Sequence, residues 1–258
     1  MNTLNIGALI IGDEIIRGKR HDKHFDHLVE TLATRGLRLA WSMVLGDNRQ
    51  RLTETLRRTL ASDDVVFSFG GIGITPDDHT RHAAAAAAGV ALQLHADAER
   101  EIRARCTEQA VEVSAQRLQL GEFPVGSRIV PNPINRMPGF SLHDHHFYPG
   151  FPQMAWPMME WVLDHKYRHL HHCVAWVEDS LAVYEAHESR VVDLMERLEA
   201  RYGVTVFSLP HLGSESLRTH IELGAKGAPE AVSQAMAEMR EELSRRGCAW
   251  GEMCNLTR

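Results

Sequence analysis

Apolar positions in the first half of the chain fall into short unbroken runs separated by amphipathic stretches. The run "LNIGALIIG" (4–12) ends in glycine and has the pattern of a strand buried on both faces. Between 21 and 35, Phe25, Leu28, Val29 and Leu32 recur at helical spacing, and Gly36 stops that helix. "LRLAWSMVLG" (37–46) predicts a second strand, with Asp47 or Asn48 as the cap of a helix striped by Leu52, Leu56 and Leu60. "VVFSF" (65–69) predicts a third strand, and the alanine run 83–88, closed by Gly89, a helix interior. Strand and helix alternating three times predict an α/β fold, a doubly wound, mostly parallel sheet with right-handed crossovers.

Further on, a helical stretch covers about 95 to 120, and "SRIV" and "HHFYP" read as short strands in a Pro/Gly-rich zone. Met154, Met158 and Val162 share a helix face that reads as core. Near 170 the pattern changes. "HCVAWVE" predicts a strand, Val191, Leu194, Met195, Leu198 and Tyr202 a helix, "VTVFSLP" and "ESLRTHIEL" two strands, and Val232, Met236, Met239 and Leu243 a last helix. This β-α-β-β-α order predicts a small α+β sandwich over 171–258, following an α/β domain over 1–170.

Charge narrows the partners. The chain of 258 residues carries a formal net charge of -6, which argues against a nucleic-acid partner. No apolar run reaches the length of a membrane span, and "MNTLNIGALIIGDE" meets acid without a basic leader. The four cysteines form no C-x-x-C pair and read as reduced thiols of a cytoplasmic protein. Of the 16 histidines, the clusters "HDHHF" (143–147) and "HLHHC" (169–173) read as surface groups rather than a metal site, the first in a turn between strands.

The chemistry concentrates in loops that should follow strands, where open parallel sheets bind ligands. These are "GDEIIRGKRHD" (12–22), "GDNR" (46–49), "GGIGITPDDHT" (70–80) and "PGFP" (149–152). Gly70, Gly71 and Gly73 let backbone amides approach a ligand, and a helix starting near Asp77 or Asp78 would present free N–H groups to phosphate. Asp78 and Thr80 would then be caps or ligands. Singly, Asp13 and Glu14 read as turn and cap, and Asp47 as an N-cap. Together Asp13, Glu14, Asp47 and Asp78 would place carboxylates at one rim, an arrangement suited to Mg²⁺-assisted chemistry on a small phosphorylated ligand.

The stretches "IGDEIIRGKRHDKH", "VLGDNRQRL", "FSFGGIGITPDDHTRHAAAAAAG", "VPNPINRMPGF" and "YPGFPQM" resemble, in order, the molybdopterin-binding fold of molybdenum-cofactor biosynthesis proteins and of the N-terminal domain of the CinA (competence/damage-inducible) family. The tail resembles the small KH-like sandwich that follows it in CinA proteins; the amidohydrolase domain of longer members is not expected here. The resemblance implies ligand contacts at Gly70, Gly71, Gly73, Thr80, Asp13 and Gly150, and catalytic roles for Asp78, Asp47 and Glu14, with Asp78 and Asp47 holding Mg²⁺, Mn²⁺ or Co²⁺. It implies metal-dependent hydrolysis of a nucleotide diphosphate such as ADP-ribose by a homo-oligomer. Alternatives are molybdopterin binding and adenylylation, or a non-catalytic nucleotide- or pterin-binding module. Two positions depart from the family pattern: Ile72 replaces a threonine, and His24 stands where asparagine is common, either filling the same contact or abolishing it.

Overall fold

A computed structural model describes residues 5–173, 176–185, 187–213 and 218–253. The chain divides into two compact units, Met1–His171 and His172–Arg258.

In the first unit β1 (Ile6–Ile11) is buried along its whole length, and its apolar run continues into a short helical turn, α1 (Asp13–Ile16). Helix α2 (His24–Ala33) begins later than its apolar spacing suggests, because the Asp22 carboxylate accepts from the amides of His24 and Phe25, both at 2.9 Å. Its inner face is His24, Leu28, Thr31 and Leu32, whereas Phe25 and Val29 are exposed. Strand β2 (Trp41–Leu45) is shorter than 37–46; it is the edge of the sheet, and Leu37 and Leu39 pack against the core ahead of it. Asn48, not Asp47, caps α3 (Arg49–Leu60) by accepting from the Arg51 amide. Strand β3 (Val65–Phe69) is fully buried, and α4 (Thr80–Ala88) ends at Gly89 in the left-handed conformation.

The predicted helix 95–120 is two helices, α5 (Ala96–Glu108) and α6 (Ala115–Gln119). Two three-residue strands that the pattern gave no sign of, β4 (Leu92–Leu94) and β5 (Glu122–Pro124), pair beside them. Then come β6 (Arg128–Val130), β7 (Gly139–Leu142), β8 (His145–Tyr148) and α7 (Pro152–Lys166). The main sheet runs β2-β1-β3-β8-β7-β6; the first four strands are mutually parallel, and β7 and β6 are antiparallel additions. Helices cover both faces. Leu28 and Leu32 of α2 and Met158 and Val162 of α7 pack on Ala8, Phe67 and Tyr148, while Leu52 and Leu56 of α3 and Ala83 and Ala84 of α4 pack on Leu9, Val66 and Phe147.

The histidines of "HDHHF" correct the sequence reading. Only the turn residues His143 and Asp144 are exposed; His145 and His146 are 1% and 0% accessible.

In the second unit β9 (Val177–Tyr184) lies beyond most of the predicted strand "HCVAWVE", of which residues 174–175 fall outside the described residues. Helix α8 (Val192–Tyr202), β10 (Thr205–His211), β11 (His220–Gly227) and α9 (Pro229–Arg245) follow; residues 215–217 of "ESLRTHIEL" are likewise not described. A further strand, β12 (Trp250–Glu252), completes an antiparallel sheet ordered β10-β11-β9-β12. Leu181, Leu194, Leu198, Leu223, Met236 and Met239 form its core.

Candidate functional site

Parallel pairing sets the loops after β1, β2, β3 and β8 at one level. Ile11 pairs with Leu45, Ile10 with Phe69, and Phe69 with Tyr148, so all four chains leave the sheet at the same carboxyl edge. The Gly12 amide donates to Leu45 O and the Gly70 amide to Tyr148 O, which carries the ladder one residue past the strands. Beyond this edge opens a cleft of about 700 Å³.

The cleft brings together Glu14, Asp47, Gly70, Gly71, Gly73, Asp78 and Gly150. Two candidates do not line it. Thr80 is 0% accessible, and its hydroxyl donates to Gly70 O at 3.0 Å while its amide donates to Gly71 O at 2.9 Å. Thr80 therefore ties α4 to the glycine loop. Asp13 exchanges bonds with Asp47: its amide donates to Asp47 Oδ2 at 2.8 Å, and the Asp47 amide donates to Asp13 Oδ1 at 3.2 Å. Its other oxygen pairs with Arg17 at 2.6 Å. Asp13 thus braces two loops.

The helix behind the loop also departs from expectation. It starts at Thr80, not at Asp77 or Asp78, and none of its residues lines the cleft. Pro76 and Asp77 form a turn instead, closed by Asp78, whose Oδ2 accepts from the Thr75 amide at 2.8 Å. The Thr75 hydroxyl lies 2.5 Å from both Asp77 Oδ1 and Asp78 Oδ2, so one proton serves two carboxylates. Any anion site here is built from the loop itself.

Gly70 and Gly71 have φ of 105° and 67°, a region that side-chain-bearing residues enter at a cost. A Cβ on Gly70 would strike the Ile11 carbonyl oxygen, and one on Gly71 the Thr80 hydroxyl. The chain therefore needs glycine here for its own packing as well as for access.

The cleft's electrostatics are mixed. Burial, then the charges of Asp13, Glu14 and Asp77, hold the Asp47 carboxyl above the usual aspartate range, against a lowering bond from the Asp13 amide. Lys19 and Arg20 line the same cleft, and neither enters a salt bridge among the described residues. The sequence reading passed over both, though "RGKR" directly follows the acidic pair.

One positioning group was missed because most of its partners are distant in sequence. Arg81 is 3% accessible and its guanidinium donates to Gly73 O at 2.6 Å, Gln119 O at 2.5 Å and Glu122 O at 3.1 Å. It pins the glycine loop to α6 and β5. Replacing Arg81 with methionine is expected to destabilise the first unit by about 2 kcal/mol in urea denaturation, since a charged donor is withdrawn from three carbonyls. His24 stacks on Phe69 at 4.5 Å, and its Nε2 lies 3.3 Å from Gly150 O, so it fills a contact to the Pro149–Gly150 turn. Burial lowers its proton affinity.

Among the described residues no group of three or more His, Cys, Asp or Glu is arranged to hold a metal ion. The donors fit a hard cation held by one or two carboxylates together with a ligand's phosphate oxygens, not one caged by the chain.

A doubly wound α/β unit with a glycine-lined cleft at the carboxyl edge of its parallel strands is a ligand-binding domain of the open-sheet class. The chain belongs to the family described as "Probable molybdopterin binding domain", whose profile matches residues 7–169. It is 28% identical over 246 residues to a CinA-like protein of Citrifermentans bemidjiense, covering 93% of this chain and 58% of that protein. A CinA-like protein of Syntrophotalea carbinolica is 32% identical over 162 residues, 61% of this chain and 39% of that one. The chain thus spans less than two thirds of the length of these relatives. Among solved structures, CinA of Thermoplasma acidophilum, described as of unknown function, shares the fold with a TM-score of 0.55 at 24% identity, over 62% of this chain and 97% of that chain. Among the described residues no helix is long and apolar enough to cross a membrane.

Proposed function

We propose that this chain binds a small phosphorylated ligand in the cleft and hydrolyses the diphosphate of a nucleotide such as ADP-ribose, with Mg²⁺, Mn²⁺ or Co²⁺. The observation that carries this reading is the convergence of loops after four adjacent parallel strands on one cleft that combines glycine backbone, carboxylates and two basic side chains.

Gly70, Gly71 and Gly73 leave room for phosphate oxygens along the loop, and Lys19 and Arg20 offset their charge from the rim. Asp78 and Asp47 would hold the cation, and Glu14 lines the same cleft. When bound, the cation polarises a phosphoryl oxygen and acidifies a water. The Asp13 amide fixes one oxygen of Asp47 and leaves the other for the cation, and Glu14, which lines the same cleft and stays outside that pair, takes a proton from the attacking water. The water oxygen bonds to phosphorus as the bridging P–O bond breaks, giving AMP and ribose 5-phosphate.

Purified protein with ADP-ribose and each cation is expected to release AMP, and Glu14→Gln to slow release by about 100-fold. Absence of AMP with every cation overturns the reaction. The family description favours a second reading, molybdopterin binding and adenylylation. Formation of an adenylylated pterin from ATP and molybdopterin, with ADP-ribose untouched, selects it. Tight binding without turnover of either substrate selects a non-catalytic module. Light scattering tests the homo-oligomer.

A further inference from the structure

We propose that Ser141 is a nucleophilic serine, activated by the buried His146, and that the pocket in front of it accepts a small anionic carboxylic ester. This inference is independent of the cleft, with which the pocket shares no lining residue.

The placement follows from the β7–β8 hairpin. Ser141 and His146 are direct partners across the antiparallel pair, so their side chains stand together on one face. Ser141 Oγ lies 2.7 Å from His146 Nδ1, and His146 Nε2 lies 2.8 Å from the Tyr167 hydroxyl. Tyr167 donates to Asp144 Oδ1 at 2.7 Å. A phenol has one proton, so toward His146 it accepts. The imidazole therefore carries its proton on Nε2, and the Nδ1 lone pair faces the Ser141 hydroxyl. Lys166 holds the far end, 2.9 Å from the same Asp144 oxygen. The order serine, imidazole, phenol, carboxylate reproduces the logic of hydroxyl–imidazole–carboxylate nucleophiles with a phenol inserted.

His146 is wholly buried and neutral at rest, since burial lowers its proton affinity and Lys166 and His145 act in the same direction; Asp144 opposes, and through Tyr167 it steadies the imidazolium while the serine proton rests on Nδ1. Ser141 is only half-buried and lines a pocket of about 640 Å³. Trp161 and Val162 give that pocket an apolar wall, and Arg128, which forms no salt bridge among the described residues, gives it a positive charge. An ester whose acyl part bears a negative charge matches the pair.

In the reaction the Oγ–C bond forms as the ester C–O bond breaks. The serine proton passes to Nδ1 and then to the departing alkoxide. Water attacks the acyl-serine by the reverse route, releasing a carboxylic acid and restoring the hydroxyl.

A fluorophosphonate probe tests the nucleophile directly, because Oγ displaces fluoride at phosphorus. Mass spectrometry of the full chain is expected to find one adduct, on Ser141, absent from Ser141→Ala and formed about 100-fold more slowly in His146→Gln. Hydrolysis of a nitrophenyl ester bearing a carboxylate is expected to follow the same order. Ser141→Ala should keep any turnover of ADP-ribose. If His146→Gln fails to fold, Tyr167→Phe takes its place, and slower labelling is again expected because the tautomer is released. No adduct on the wild-type chain, or one that forms as fast without the His146 imidazole or the Tyr167 hydroxyl, overturns the proposal.

Discussion

Exchanging Gly70 for alanine is expected to destabilise the first unit by about 3 kcal/mol, or roughly 9 °C in melting temperature, and to remove ligand-induced stabilisation of the cleft. The added methyl would occupy a φ of 105° and press on the Ile11 carbonyl oxygen, which is main chain and belongs to the central strand of the carboxyl edge. Relief requires β1 or the loop to move, and either movement dismantles the cleft. Gly150→Ala is the companion variant. A Cβ there would meet only Gly70 Cα, at an ordinary 3.5 Å. The fold should tolerate it, while a ligand lying along the turn should bind more weakly. Calorimetry with and without ADP-ribose and a divalent cation separates the two effects. A Gly70→Ala protein that melts like the wild type would refute the strain argument.

Acidification from pH 7 to 4 is expected to remove a large part of the first unit's stability, with about 3 kcal/mol assignable to His145. Its ring is buried against the Thr59 hydroxyl, and burial pushes its pKa down to about 4. In the unfolded chain the same group titrates near 6.5. Between those values the unfolded state binds a proton that the folded state refuses. The stability is therefore complete above about pH 6.5 and lost as pH falls toward 4. His146 adds in the same direction. Urea denaturation across this range should show the unfolding free energy falling, and His145→Gln should lower the proton uptake on unfolding by about one. An unchanged slope in that variant would remove His145 from the account. The second unit differs: bonds from Arg246 hold Asp193 at about pKa 2, so that interaction is present above about pH 4 and lost only as pH falls through 2.

How much was legible depended on how local each cause was. The runs that became β1 and β3 are almost wholly apolar because helices cover both faces, and those strands were readable; β8, which opens on two histidines, was readable only as a short strand in turn-rich surroundings. Strand β7 was not, since "GFSL" is four residues opening on glycine, and its pairing with β8 is tertiary information. The helix start was misplaced by Asp77 and Asp78, whose side chains close a turn around Thr75 instead of capping α4. In the site, the glycine loop and Asp47 were legible from the strand-to-loop transitions. That Thr80 turns inward and that Asp13 braces the neighbouring loop was not, because their partners lie ten and 34 residues away. The same holds for Arg81, which binds carbonyls 38 and 41 residues distant, and for His146, whose exposure was misjudged because Tyr167 and the helix bearing it are far along the chain.

The mutual grip of Asp13 and Asp47 has a consequence for how the cleft can accommodate guests of different size. Two turns that each lend the other an amide and a carboxylate behave as one stiff jaw. The opposing jaw is the segment around Thr75, held mostly by its own short-range bonds and by Arg81 at its base. Adjustment to a bulkier occupant then falls to that side alone, hinging where the guanidinium meets Gly73.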